Sequence, residues 1–201
     1  MMFKLNPKNI KSDVASYKGY LHLLLLGILS LAAFLYLYKI GDESLQTDEF
    51  YSIADAKLVP DEVSKIRPVY YIVLRVWMLF GENDLWLRML SVPFALGSIF
   101  LIYLIGKRLL GNYVGLVSAL LLTLSPVFIN HAQQVRMYTL STFLGLLGTF
   151  FILKLLEKPK TASLIGWIGF RILAILTTPL NILLLLPDTI ILIYQYRHRG
   201  R

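Results

Sequence analysis

Apolar residues in this chain gather into long runs separated by short charged islands, a pattern no water-facing surface could absorb. The first run, Tyr20 to Tyr38, can cross a hydrocarbon core of about 30 Å at about 1.5 Å per helical residue. It exceeds the roughly 7–15-residue core of a signal peptide, and no A-x-A-like site ends it, so it is read as a span. Further runs follow at about 89–106, 113–129, 137–153, 162–178 and 180–196. Between the last two stands Thr178-Pro179-Leu180, where proline stops one helix and pre-sets the turn into the next. The expected fold is an all-α polytopic membrane protein with six transmembrane helices. Residues 1–19 form a cytoplasmic segment, 20–196 a single transmembrane domain with an outer loop at 40–88, and 197–201 a basic cytoplasmic tail.

The outer loop is too long for a simple connection, and long loops with structure of their own are commonly functional. Two short interfacial helices are predicted in it. One starts at Thr47 as N-cap and sets Phe50, Ile53, Ala54 and Leu58 on one face, Asp48, Ser52 and Asp55 on another. The other runs from Pro68 to Phe80 with Gly81 as its stop, and reaches only about 20 Å. Tyr70, Tyr71 and Trp77 suit the boundary between lipid and water.

Of 201 residues, 57% are hydrophobic and 16% charged, against about 25% charged in an ordinary soluble domain. The net charge of +8 raises the question of a nucleic-acid partner, but the basic residues form no single patch. They cluster at the ends of apolar runs, as membrane topology requires. Placing the N-terminus inside collects Lys4, Lys8, Lys11, Lys18, Lys107, Arg108, Lys154, Lys158, Lys160, Arg197, Arg199 and Arg201 on one side, opposed by Asp13 and Glu157. The other side gathers Asp42, Glu43, Asp48, Glu49, Asp55, Asp61, Glu62, Glu82 and Asp84. Both termini are expected in the cytoplasm, and no nucleic acid is expected. Cysteine is absent, which excludes disulfides and thiolate chemistry.

Asp48-Glu49 at the membrane surface, with Arg67 later in the loop and Arg136 before a later span, puts carboxylates and guanidiniums on one outer side. Transfer of a group from a lipid phosphate needs that mixture: a carboxylate takes the acceptor's proton, and arginine holds the phosphate as charge develops on it. Simpler readings stand beside this one. An acidic pair at a helix start favours the dipole without catalysis, and Arg67, Arg75, Arg88 and Arg136 can each anchor at phospholipid headgroups. His131 has no second histidine or cysteine at metal spacing.

The ordered motifs "TDEFYSIADA", "RPVYYIVLRVWMLFGENDLWLRMLSVPFALGSIFLIYLIGKRLLG" and "LLTLSPVFINHAQQVRMYTLSTFLGLLG" resemble the N-terminal half of the GT-C membrane glycosyltransferases. The resemblance is to the protein O-mannosyltransferase-like and aminoarabinose-transferase-like groups, over residues 20–160. The resemblance implies a polyprenyl-phosphate-linked sugar donor used on the extracytoplasmic face, with a divalent metal in some members. It implies an acidic base at Asp48 with Glu49 beside it, and lipid-phosphate contacts from Arg67 and the RMY arginine, Arg136. Asp55, Tyr70, Gln134 and Tyr138 are supporting positions. Departures are Pro68-Val69 where many relatives carry two prolines, and Gln134 where an acidic residue often stands.

The family has ten or more spans where six are read here, so an N-terminal module, a split enzyme completed by a second membrane chain and a degenerate paralogue all stay open. The leading expectation is a glycosyltransferase in the bacterial inner (plasma) membrane. The alternative is a non-catalytic subunit that binds lipid phosphate and needs a partner chain. A transporter would carry more ionisable residues inside its spans than Arg171 and Asp188. Those two stand about eight and nine residues either side of Pro179, so an ion pair across the last hairpin is predicted.

Overall fold

A computed structural model of the chain describes residues 7–42, 44–58 and 66–199. Lys4, Glu43, Asp61, Glu62 and Arg201 lie outside the described residues, as do the side chains of Lys8, Lys11, Asp13, Lys18 and Arg199. The helices in order are α1 (Pro7–Leu37), α2 (Thr47–Lys57), α3 (Pro68–Met78), α4 (Asp84–Met89), α5 (Ser91–Leu110), α6 (Asn112–Thr123), α7 (Pro126–Ala132), α8 (Tyr138–Glu157) and α9 (Thr161–Thr177). A 3-10 helix (Pro179–Leu184) leads into α10 (Leu185–Arg199). The protein is an all-α integral membrane protein.

Its packing follows lipid rules. Leu23, Leu26, Phe34, Val117, Leu121, Ile165 and Ile190 face outward, while Ser98, Thr123, Thr139 and Thr177 are buried. Hydroxyls of Ser98, Thr123 and Thr177 donate to the carbonyls of Phe94, Ala119 and Leu173 four residues back, which satisfies them inside the bundle. One core cluster joins α1, α5, α6 and α7; a second joins α2, α3, α4, the 135–137 linker, α8 and α9. Small residues let the backbones close up: a Cβ on Gly115 would stand 2.6 Å from the Tyr103 carbonyl oxygen of α5. The turn joining α5 to α6 is Gly111 at φ 98°, a left-handed conformation glycine reaches without steric cost.

The sequence predicts six spans; among the described residues three helices are long and apolar enough to cross a membrane, or four if one bent pair counts as a span. Gly19–Leu37, Asp84–Leu110 and Tyr138–Glu157 are long and apolar enough to cross a membrane singly. The run at 113–129 is not one straight helix: α6 and α7 meet at 66°, because Ser125 caps a new helix whose first residue, Pro126, lacks an N–H to continue the old one. The last two runs give shorter helices, yet they travel the length of α8. Asn181, after α9, donates to Ser141 near one end of α8, and Gln195 of α10 donates to the Leu156 carbonyl near the other.

The outer loop holds the two expected helices and a third, α4, that runs almost directly into α5. The N-cap of α2 is Gln46, not Thr47: Gln46 is extended (φ −71°, ψ 155°), and Thr47 is already helical. The α3 helix closes at Met78, two residues before Phe80.

The predicted hairpin pair is present. Arg171 Nε and Nη2 donate to Asp188 at 2.7 and 2.9 Å, and both residues are buried. The indole N–H of Trp167 also donates to Asp188, while Arg171 reaches the Gly145 carbonyl and the Thr149 hydroxyl. Gly148 makes room for it, since a Cβ there would lie 2.9 Å from the guanidinium.

Candidate functional site

The site begins where helix ends meet. The first N–H groups of a helix have no intrahelical acceptor, and an acidic residue three positions into the helix can fold back to supply one. Glu49 does so, accepting the Gln46 N–H at 2.9 Å. It is wholly buried, and it also accepts the Val135 N–H at 2.9 Å and two N–H groups of Arg88 at 3.0 and 2.9 Å. Burial alone would push the Glu49 carboxyl up; the Arg88 guanidinium and the two amides outweigh it and hold the group below the ordinary carboxylate range. Arg88 further donates to the carbonyls of Ile40 and Ser44. One ion pair therefore pins the end of α1, the start of α2, α4 and the linker before α8.

The FGxNxxxxR motif explains how Arg88 arrives there. The Asn83 carboxamide accepts the Trp86 N–H and starts α4. The Trp86 indole stacks on Trp77 at 4.4 Å, and each indole N–H donates to the other residue's carbonyl. Gly81 lies under that ring, where a Cβ would sit 3.1 Å from it. Arg88 then falls on the inward face of α4. It is 4% exposed, so it is no headgroup anchor, contrary to one reading of the sequence. Sequence reasoning missed its partner because the two residues are 39 positions apart; the Asn83 cap, which phases α4, was the available signal.

Asp48 points the other way. Its side chain is 71% exposed and faces Arg136, Nη2 to Oδ2 at 3.4 Å. Arg136 also donates to the Asp48 carbonyl at 3.0 Å and to the Ser52 hydroxyl at 3.3 Å, and it contacts Tyr138 through its hydroxyl and ring. Arg67 stands at the residue before α3 and donates to the Met137 sulfur at 3.7 Å, one residue from Arg136. Tyr70 is buried behind them with its hydroxyl enclosed and unbonded among the described residues; burial first, then Tyr71, raises its pKa beyond the ordinary tyrosine value. Asp55 accepts from the Tyr71 hydroxyl at 3.0 Å, and burial together with Asp55 pushes Tyr71 up to about 12. Asp48 and Arg136 are thus in contact, Arg67 reaches the residue beside Arg136, and Tyr70, Asp55 and Tyr138 stand near them at one end of the bundle.

Gln134 is not part of that group. Its carboxamide donates to Asn130 and Gln46, and the residue lines a cavity of about 490 Å³ together with Lys39, Asp42, Gln133 and the buried pair Glu49 and Arg88. Asp48, Arg67 and Arg136 do not line it. His131 stacks on Tyr138 at 4.3 Å.

The described residues gather no ligand set for a divalent metal. Asp48 faces a guanidinium, both Glu49 oxygens are occupied, and no cluster of three His, Asp or Glu side chains occurs among the described residues.

The chain is thus a bundle of lipid-facing helices with an acid-and-arginine site at one end. The chain belongs to the dolichyl-phosphate-mannose-protein mannosyltransferase family, a GT-C-type glycosyltransferase family, which it matches over residues 68–201. The match includes Arg88, Arg136 and Tyr138, runs past the 160 boundary expected from the motifs, and begins after Asp48, Glu49 and Arg67. No curated protein and no solved structure matches the chain.

Proposed function

We propose that the chain transfers a sugar from a polyprenyl-phosphate donor to an acceptor hydroxyl at the extracytoplasmic membrane boundary, as an enzyme or as its N-terminal module. Asp48 acts as the base. It takes the hydroxyl proton as the acceptor oxygen bonds to the anomeric carbon. The bond from that carbon to the phosphate oxygen breaks, and Arg136 and Arg67 receive the negative charge left on the phosphate. Glu49, expected beside Asp48 as a second catalytic carboxylate, is assigned here to positioning, because its oxygens already hold Arg88 and two backbone amides.

The observation that carries this reading is the exposed Asp48 carboxylate held 3.4 Å from Arg136. A phosphate arriving beside Arg136 competes for the guanidinium and leaves Asp48 free to accept a proton. Asp48→Asn keeps the shape of the side chain but removes the base. It is expected to lower transfer by about two decades or more at unchanged expression. An Asn variant with full transfer, measured against an active parent, sinks the assignment.

A second reading, a non-catalytic lipid-phosphate-binding subunit or degenerate paralogue, draws support from Gln134. It stands where relatives often carry an acidic residue, and its side chain turns away toward Asn130 and Gln46. Parent protein that binds the lipid phosphate but transfers nothing without a second chain favours it.

A further inference from the structure

At the end of the bundle opposite Asp48 is a second polar site. The α5 and α8 helices each have one end at the candidate site, where the Ser91 hydroxyl bonds the Gln134 carbonyl and Tyr138 meets Arg136. At their other ends, about 30 Å away for a helix of 20 residues, lies a cavity of about 250 Å³. Arg108, Lys154, Lys158 and Lys160 line it against one carboxylate, Glu157. Glu157 bonds Arg108 Nε at 2.8 Å, which leaves three positive charges in excess around the cavity. Arg108 Nη1 is enclosed without a hydrogen-bond partner among the described residues.

The cations are also held in place. Arg108 lies 5.2 Å over the Phe150 ring, and Lys154 lies over Phe150 at 5.0 Å and Phe151 at 5.6 Å. Phe151 gives the cavity an apolar wall. Topology alone asks for basic residues at this membrane face, but not for a concave site with an aromatic wall and an unbonded guanidinium N–H. A phosphate diester with acyl chains suits both halves: its oxygens accept from Arg108 and the lysines, and its chains continue along the exposed apolar side chains of α9, Leu164, Ile165, Ile168 and Ile172.

We propose that this cavity binds the phosphate headgroup of an anionic membrane lipid, at the face opposite the candidate transferase site and independently of any transfer reaction. The test uses the full chain purified in detergent, with phosphatidylglycerol as probe, phosphatidylcholine and inorganic phosphate as competitors, and retained lipid counted by native mass spectrometry. Each lysine near an anionic lipid contributes about fivefold in affinity, so Lys154→Gln/Lys158→Gln/Lys160→Gln together are expected to weaken phosphatidylglycerol binding on the order of a hundredfold. The triple Lys→Arg variant, which keeps the charge, is expected to bind as the parent does. Lys39→Gln/Lys57→Gln, which removes charge at the other face, is expected to leave binding unchanged. The proposal is overturned if the triple Gln variant binds like the parent, if Lys39→Gln/Lys57→Gln weakens binding as much, or if phosphatidylcholine competes equally. Displacement by millimolar inorganic phosphate also overturns it, by assigning the cavity to a free anion.

Discussion

Two buried ion pairs show how differently single residues can be read from sequence. Arg171 and Asp188 were legible as partners because Pro179 marks the turn between them and equal distance from a turn gives equal depth. The 3-10 helix in that turn did not spoil the register. Glu49 and Arg88 were not legible as partners, since an arginine at the end of an apolar run reads equally well as a headgroup anchor. Only the tertiary arrangement that sets Arg88 of α4 and the Val135 amide around the first turn of α2 brings the two together. For the Arg171 pair the consequence is measurable. Removing one charge strands the other in low dielectric, at a cost of about 3–5 kcal/mol, whereas removing both eliminates the desolvation cost as well. Arg171→Leu and Asp188→Leu are each expected to lower the detergent-solubilised melting temperature markedly, and the double variant to recover much of the loss. Trp167, which loses its acceptor with Asp188, and Thr149, which loses the Arg171 N–H, set the part that the double variant does not recover. Additive single losses in the double variant rule out the partnership.

At the level of helices, the sequence carried type better than continuity. Apolar runs identified every long helix, but hydropathy does not register backbone hydrogen bonding, so the break at Ser125-Pro126 passed unseen although proline was its plain signal. The boundary of α2 slipped by one residue for a related reason: Gln46 gains its place as N-cap from Glu49 and the tertiary contacts of Glu49, not from intrinsic preference. Close packing of α5 on α6 rests on glycine in a way that can be tested. Gly115→Ala puts a Cβ 2.6 Å from a backbone oxygen that cannot rotate away, so α6 must move outward, a cost of about 1–3 kcal/mol. Gly169→Ala on α9 meets nothing within 4 Å and is expected to be neutral or slightly stabilising through helix propensity. Thermal unfolding of the two variants side by side checks this; equal melting temperatures would show that α5 and α6 are not in backbone contact.

Across the whole molecule, charge decides orientation, and ion pairing sharpens the decision. Counted from sequence, Lys and Arg occur on both sides, with Lys39, Lys57, Lys65, Arg67, Arg75, Arg88 and Arg136 on the side of Asp48, where nine acidic residues also fall. The structure pairs Lys57 with Glu82, Arg88 with Glu49 and Arg136 with Asp48. At the opposite end Lys107, Arg108, Lys154, Lys158 and Lys160 stand against Glu157 alone among the described residues. Uncompensated positive charge therefore concentrates at the end of α5 and α8 away from Asp48, and such charge is retained on the cytoplasmic side. The Asp48 boundary is accordingly expected outside. The absence of cysteine makes the measurement direct: single cysteines at Ser44 and Ala162, both exposed at opposite ends, probed in intact cells with a membrane-impermeant thiol reagent. Labelling is expected at position 44 at once and at position 162 only after the membrane is opened. The reverse pattern would place Asp48, Arg67 and Arg136 in the cytoplasm, and an extracytoplasmic sugar transfer would then have no site on this chain.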